Sequence, residues 1–121
     1  MVSKTLFGIT TIAYTIFLVV VSLINISGVP SLGSDFDDKI YHFLAYFLFA
    51  YLWTTYLKPS KKKNKLLIVF ICLIMFGIIL ELIQHIINPN RVYDTYDLIA
   101  NCLGVLIGTL LAKKYTIITL K

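Results

Sequence analysis

Nine side chains in this sequence are of types that do chemistry or bind polar ligands: Asp38, Lys39, His42, Tyr46, Glu81, Gln84, Arg91, Asp97 and Asn101. An imidazole and a carboxylate can exchange protons with a substrate, a lysine or arginine can neutralise an anion, and the amides and phenol can hold hydroxyl, sugar or peptide groups. Their spacing is helical. Asp38, His42 and Tyr46 recur every four residues; Glu81 shares a face with Gln84 and His85; Asp97 and Asn101 continue into Gly104 and Gly108. No serine or cysteine nucleophile stands beside His42 in a recognisable motif.

The surroundings of these residues are what make them conspicuous. Of the 121 residues, 59% are hydrophobic and only 14% charged, with a mean hydropathy of +0.87, so lipid must be the solvent for much of the chain. Apolar runs of about 20 residues match the length a helix needs to cross roughly 30 Å of hydrocarbon. Four such runs are expected to be helical, over about residues 6–26, 39–57, 66–87 and 96–112. The fold class is therefore all-α, a polytopic membrane protein of four transmembrane helices in a single domain over 1–121. The first run is preceded by Lys4 but exceeds a secretory h-region, and Ser27-Gly28-Val29-Pro30-Ser31 offers no A-x-A-like site, so it reads as an uncleaved span. Trp53, Tyr51 and Tyr56 cluster at the far end of the second run, as aromatic residues do at a lipid–water boundary.

The net charge of +5 raises the question of nucleic acid, which the placement of the charges answers. The basic residues lie between apolar runs without interleaved aromatic platforms, which argues against nucleic-acid binding. Instead they set orientation. Nine of the 11 (Lys4, Lys58, Lys61, Lys62, Lys63, Lys65, Lys113, Lys114, Lys121) fall on one side of the expected spans and two (Lys39, Arg91) on the other, so both termini are expected in the cytoplasm. The six acids Asp35, Asp37, Asp38, Glu81, Asp94 and Asp97 then occupy the outer half. Cys72 and Cys102 sit inside apolar runs, where a thiol behaves as a small hydrophobe, and no zinc-type pair is present.

Depth and face together suggest a site. Counting inward at 1.5 Å per residue, His42 lies about one turn below the outer boundary, and Tyr46, Glu81 and Asn101 roughly 7–10 Å below it. The three polar stripes are best buried against one another, lining a pocket that opens outward; the inner halves offer only hydroxyls such as Thr109, which can bond their own helix. An ionisable group at this depth costs about 2.5–3.5 kcal/mol on insertion scales, so Glu81 and His42 are functional suspects. Mutual satisfaction of polar groups that lock the helices is the simpler account for Gln84 and Asn101, and charge balance within the rim for Lys39 and Arg91. Gly104-Val105-Leu106-Ile107-Gly108 is a GxxxG pattern, continued by Ala112, that permits close helix approach within the chain or a homodimer through Gly104 and Gly108.

The order and spacing of Asp38-Lys39-x-x-His42-x-x-x-Tyr46, then Glu81-x-x-Gln84, then Arg91 after Pro89, then Asp97, Asn101, Gly104 and Gly108 resemble the VanZ-like family of small bacterial membrane proteins, named for a member associated with teicoplanin resistance. Asn90 stands where that family often has Gly before the Arg, and His85 lies outside the pattern. The resemblance implies a four-helix protein of the bacterial cytoplasmic membrane with a cell-envelope role in antibiotic resistance, and it supplies no reaction or cofactor.

Two functions from different classes follow. One is a binding protein whose outer pocket, built from the nine residues named above, captures a glycopeptide or lipoglycopeptide drug or a lipid-linked envelope component. The other is a membrane-embedded hydrolase or transferase acting on an outer-leaflet lipid, with His42 and Glu81 as catalytic acid and base. Asp38, His42, Glu81 and Asp97 could supply oxygen and imidazole ligands to a divalent cation, but their spacing is not that of a metal motif, and no metal is assigned. The orientation has a direct check: a thiol introduced at Ser60, in the lysine-rich turn, is expected to resist a membrane-impermeant reagent in intact cells, and external labelling there would reverse the topology.

Overall fold

The computed structural model describes residues 3–23, 37–57, 64–87 and 95–114, and the side chains of Asp37, Asp38 and Thr95 lie outside that description. Four helices make up the described residues: α1 (Lys4–Leu23), α2 (Asp37–Leu57), α3 (Lys65–Ile87) and α4 (Thr95–Lys114). Local chemistry explains where they begin. The Ser3 hydroxyl accepts a bond from the Leu6 amide, as an N-cap does, and α1 starts one residue later. Asn64, in the left-handed region at φ 65° that asparagine tolerates, offers its carbonyl to the Ile68 amide and opens α3. Asp97, in the first turn of α4, suits the positive end of a helix dipole. Each helix starts one or two residues ahead of the run read from the sequence.

Three helices are long and apolar enough to cross a membrane: α1, α3 and the Tyr96–Lys114 part of α4. Helix α2 falls short because tyrosines, threonines and a histidine dilute its apolar residues. Its place in the bundle explains how it carries them. It packs against all three other helices, whereas α1 and α4 do not touch one another among the described residues. Polar atoms on α2 therefore find protein partners. Tyr14 on α1 donates its hydroxyl to the Ala45 carbonyl at 2.6 Å, and the Trp53 indole N–H donates to Thr15 Oγ1 at 2.9 Å. Trp53 is thus tied to α1 and half-buried.

Cross-helix contacts also fix directions. His42, Phe43 and Phe47 of α2 meet Asn101, Gly104 and Gly108 of α4 in the same order along both helices, so α2 and α4 run parallel. Gly8 of α1 meets Tyr56, and Tyr14 meets Ala45, so α1 runs antiparallel to α2. Gln84, near the end of α3, reaches the Ser22 carbonyl, near the end of α1, so these two are parallel. Directions therefore alternate along the chain.

The GxxxG stripe is consumed by the α2–α4 contact. A Cβ on Gly104 would lie 2.5 Å from the Phe43 carbonyl oxygen, and one on Gly108 would collide with the Phe47 carbonyl oxygen. Both glycines are buried, which corrects the homodimer expectation: α2 of the same chain already covers the face a second copy would need. Buried Tyr46, Phe49, Ala50 and Val105 fill the space between α2 and its neighbours, with Leu73 and Val69 closing it from α3. Outward faces are aliphatic and exposed, for example Ile9, Ile12 and Ile16 on α1 and Ile68, Ile71 and Ile79 on α3, as lipid contact requires.

Gly108→Leu is expected to destabilise the fold by about 1–3 kcal/mol or more, the range for overpacking, because rigid backbone opposes the new side chain. Gly8→Ala is expected to do less, since its new methyl meets the ring of Tyr56, which can turn aside. Thermal unfolding of the two variants in detergent ranks these effects, and equal melting temperatures would contradict the backbone-contact account.

Candidate functional site

The parallel pairing of α2 and α4 puts the first turns of both helices at one end of the molecule, and four of the expected site residues meet there. Lys39 Nζ lies 3.4 Å from Asp97 Oδ1. His42 reaches the same carboxylate with one ring nitrogen, Nε2 to Asp97 Oδ2 at 3.7 Å, longer than a hydrogen bond. Its other nitrogen, Nδ1, is 2.9 Å from Asn101 Oδ1. An amide oxygen can only accept, so the network places a proton on Nδ1 and turns Nε2, as acceptor or as imidazolium donor, toward Asp97. The result is a connected series, Lys39 to Asp97 to His42 to Asn101, spanning the two helices.

Burial is graded along that series. The Lys39 and His42 side chains are 25% and 18% exposed and that of Asp97 10%, while Asn101 is 1% exposed. The carboxylate of Asp97 sits in the first turn of α4, where the helix dipole and the Lys39 ammonium both favour negative charge. Two atoms stay without a hydrogen-bond partner: Asp97 Oδ1, which has only the 3.4 Å ion pair, and Asn101 Nδ2. Leaving such a buried donor unsatisfied costs about 1–3 kcal/mol. Among the described residues nothing bonds them, so within the series they are the atoms best placed to engage a further polar group.

Tyr46 and Glu81 lie one step deeper. Tyr46 is buried with its ring against Gly77 of α3, where a Cβ would come within 3.2 Å, so that glycine lets an aromatic side chain of α2 lie flat on α3. Since α3 runs antiparallel to α2, residue 81 is brought level with residue 42 when 77 faces 46. Glu81 is buried and lies near Tyr46. Beside this cluster a shallow, closely packed apolar cleft runs between α3 and α4, lined by Tyr46, Gly77 and Asn101 together with aliphatic side chains such as Leu73, Ile78 and Leu98.

Not every expected residue joins. Gln84 is buried but donates to the Ser22 carbonyl, so it ties α3 to α1. His85 is exposed. The Asp38 side chain and all of Arg91, with Asp35 and Asp94, lie outside the described residues. Thr109, expected to bond its own helix, instead has a buried hydroxyl without a partner, as does Thr54, whereas Thr10, Thr11 and Thr15 do bond carbonyls one turn back. No group of three or more metal-ligating side chains occurs among the described residues. Sequence reasoning missed Gly77 and Ser22. A lone glycine in an otherwise aliphatic span was the available signal for the first; a backbone carbonyl leaves no signal for the second.

His42 and Asn101 are expected to be energetically coupled. A double-mutant cycle with His42→Ala and Asn101→Ala should give a coupling near the membrane average of about 0.6 kcal/mol, up to about 1.7. Additive losses in unfolding experiments would show that the 2.9 Å contact does not persist in solution.

Comparison with known proteins places the chain among relatives. An uncharacterized protein of the fission yeast Schizosaccharomyces pombe is 28% identical over 86 residues, which are 71% of this chain and 52% of that protein, so the chain spans about half the length of that relative. No solved structure matches. The model of the VanZ/LLP1 family matches residues 9–119, which takes in most of α1 and all of α2, α3 and α4, and the chain belongs to that family.

Proposed function

We propose that this protein is a four-span membrane protein with both termini in the cytoplasm, and that its outer end binds an amphiphilic ligand of the cell envelope. The ligand is a lipid-linked envelope component or a lipoglycopeptide of the teicoplanin type, and glycopeptide resistance follows from its capture. The observation that carries this reading is the polar series from Lys39 to Asn101 adjoining an apolar cleft. One end suits hydroxyl, amide or anionic groups and the other suits hydrocarbon, the combination that an amphiphile presents.

Electrostatics favour the same class of ligand. Two parallel helix N-termini and the Lys39 ammonium supply positive potential beside the carboxylates of Asp97 and Glu81, so a polar, hydrogen-bonding head group is accommodated. The alternation of helix directions, with Lys4, Lys65, Lys113 and Lys114 at the end opposite Lys39, supports an outward site by the positive-inside rule. A relative in fission yeast fits a ligand that bacterial and yeast membranes share, and a lipid is such a ligand.

The contact between His42 Nε2 and Asp97 favours a second reading, because a carboxylate beside an imidazole is how acid–base catalysts are oriented. In that reading the protein is a hydrolase or transferase of outer-leaflet lipids, His42 is the general base, Glu81 the partner acid, and water the nucleophile.

Expression of the wild type in a sensitive bacterium is expected to raise teicoplanin tolerance, and His42→Ala or Asp97→Asn to remove most of the gain. Absence of any gain from the wild type would defeat the resistance reading. Mass spectrometry of recovered drug and envelope lipids then separates the two classes: unchanged molecules together with direct binding support capture, and new covalent products support an enzyme.

A further inference from the structure

At the end of the molecule opposite Lys39 and Asp97, charge of one sign collects. Because helix directions alternate, α1 and α3 begin there and α2 and α4 end there. Lys4 opens α1, Lys65 opens α3, and Lys113 and Lys114 close α4. Lys4, Lys113 and Lys114 are exposed and Lys65 is half-buried. Among the described residues no carboxylate stands at this end: Glu81 and Asp97 lie toward the other, where Asp37 and Asp38 begin α2.

Helix electrostatics account for only part of this placement. A cation at a helix C-terminus, as at Lys113 and Lys114, suits the dipole. The first turns of α1 and α3 favour an anion instead, yet they contain no acid and each opens on a lysine. Lys4 Nζ lies 5.7 Å from the centroid of the Tyr56 ring, which rests against α1 at Gly8. A ring face holds an ammonium in place without cancelling its charge. Beside the lysines the surface turns aliphatic: Leu6 on α1, Leu67 and Ile68 on α3 and Leu110 on α4 are exposed within about one helical turn of them. A lipid whose chains lie on these faces carries its phosphate at the level that the lysine stems reach.

We propose that this end of the protein is a binding surface for anionic phospholipid, in which Lys4, Lys65, Lys113 and Lys114 engage the phosphates of the adjoining leaflet. Charge selects the head group. A zwitterionic lipid brings an ammonium of its own, for which this end offers no described carboxylate, whereas a phosphatidylglycerol-type head group brings none. The surface is separate from the Lys39–Asn101 series and does not depend on what binds there.

The test uses the full chain in nanodiscs of equal parts phosphatidylglycerol and phosphatidylcholine, with a trace of one or the other carrying a diazirine near the glycerol end of an acyl chain. After photolysis, peptide mass spectrometry is expected to find the phosphatidylglycerol probe in about fivefold excess at Leu6, Leu67 and Leu110, the effect of one lysine at an anionic surface. A smaller excess is expected at Val20, Ile83 and Ile99, which are exposed toward the opposite end. Replacing Lys4, Lys65, Lys113 and Lys114 together by Gln is expected to remove the difference between the ends, and replacing them by Arg to keep it. Salt at about 1 M, where screening acts within roughly 3 Å, should weaken the excess in the unsubstituted protein, which provides a measurement independent of whether the variants fold. Equal ratios at the two ends overturn the proposal, as does an excess that survives the glutamine substitutions or is lost in the arginine variant. Displacement of the probe by inorganic phosphate at constant ionic strength would assign the surface to a soluble anion and also overturn it.

Discussion

The close approach of α2 and α4 is the constraint on which the remaining geometry depends. In lipid there is little hydrophobic force to press helices together, so backbone proximity and packing must do so, and glycine at 104 and 108 allows the carbonyls of Phe43 and Phe47 to come where a methyl group would otherwise stand. Because the two helices run parallel, this contact also aligns their N-terminal turns. The four polar residues above the glycines are each brought within 4 Å of the next in the series as a consequence, with no further device. Packing below and polarity above belong to one continuous helix face.

That arrangement accommodates the helix whose composition falls short of the other three for crossing a membrane. Helix α2 carries tyrosines, threonines and a histidine that would be expensive against lipid, and, like α3, it packs against all three other helices. Its phenylalanines pack inward while its polar atoms are taken up by α1 and α4, through Thr15, Asn101 and Asp97. The price is a site that is not fully satisfied. Asn101 Nδ2 and Asp97 Oδ1 are buried without hydrogen-bond partners among the described residues, as are the hydroxyls of Thr54 and Thr109.

Much of this was legible beforehand. Apolar run length gave the helix positions to within a few residues, and a four-residue recurrence placed His42 and Tyr46, or Asp97 and Asn101, on common faces. The convergence of His42, Lys39, Asp97 and Asn101 follows from those faces once they are buried together. Gln84 shows where such reasoning stops: its spacing from Glu81 is that of a shared face, yet a face is wide enough for one residue to look toward α2 and the other toward α1.

Periodicity and composition by themselves determined an all-helical chain, the approximate ends of its helices, and the side on which its polar groups collect, because these depend only on the rise per residue and on where charge can be tolerated. They left open whether Gly104 and Gly108 met another helix of this chain or a second copy, which helix would be enclosed, and which acceptor Gln84 would find. Those choices were decided by tertiary structure, since small residues are equally complementary to any close backbone and a carbonyl such as that of Ser22 carries no mark in the sequence.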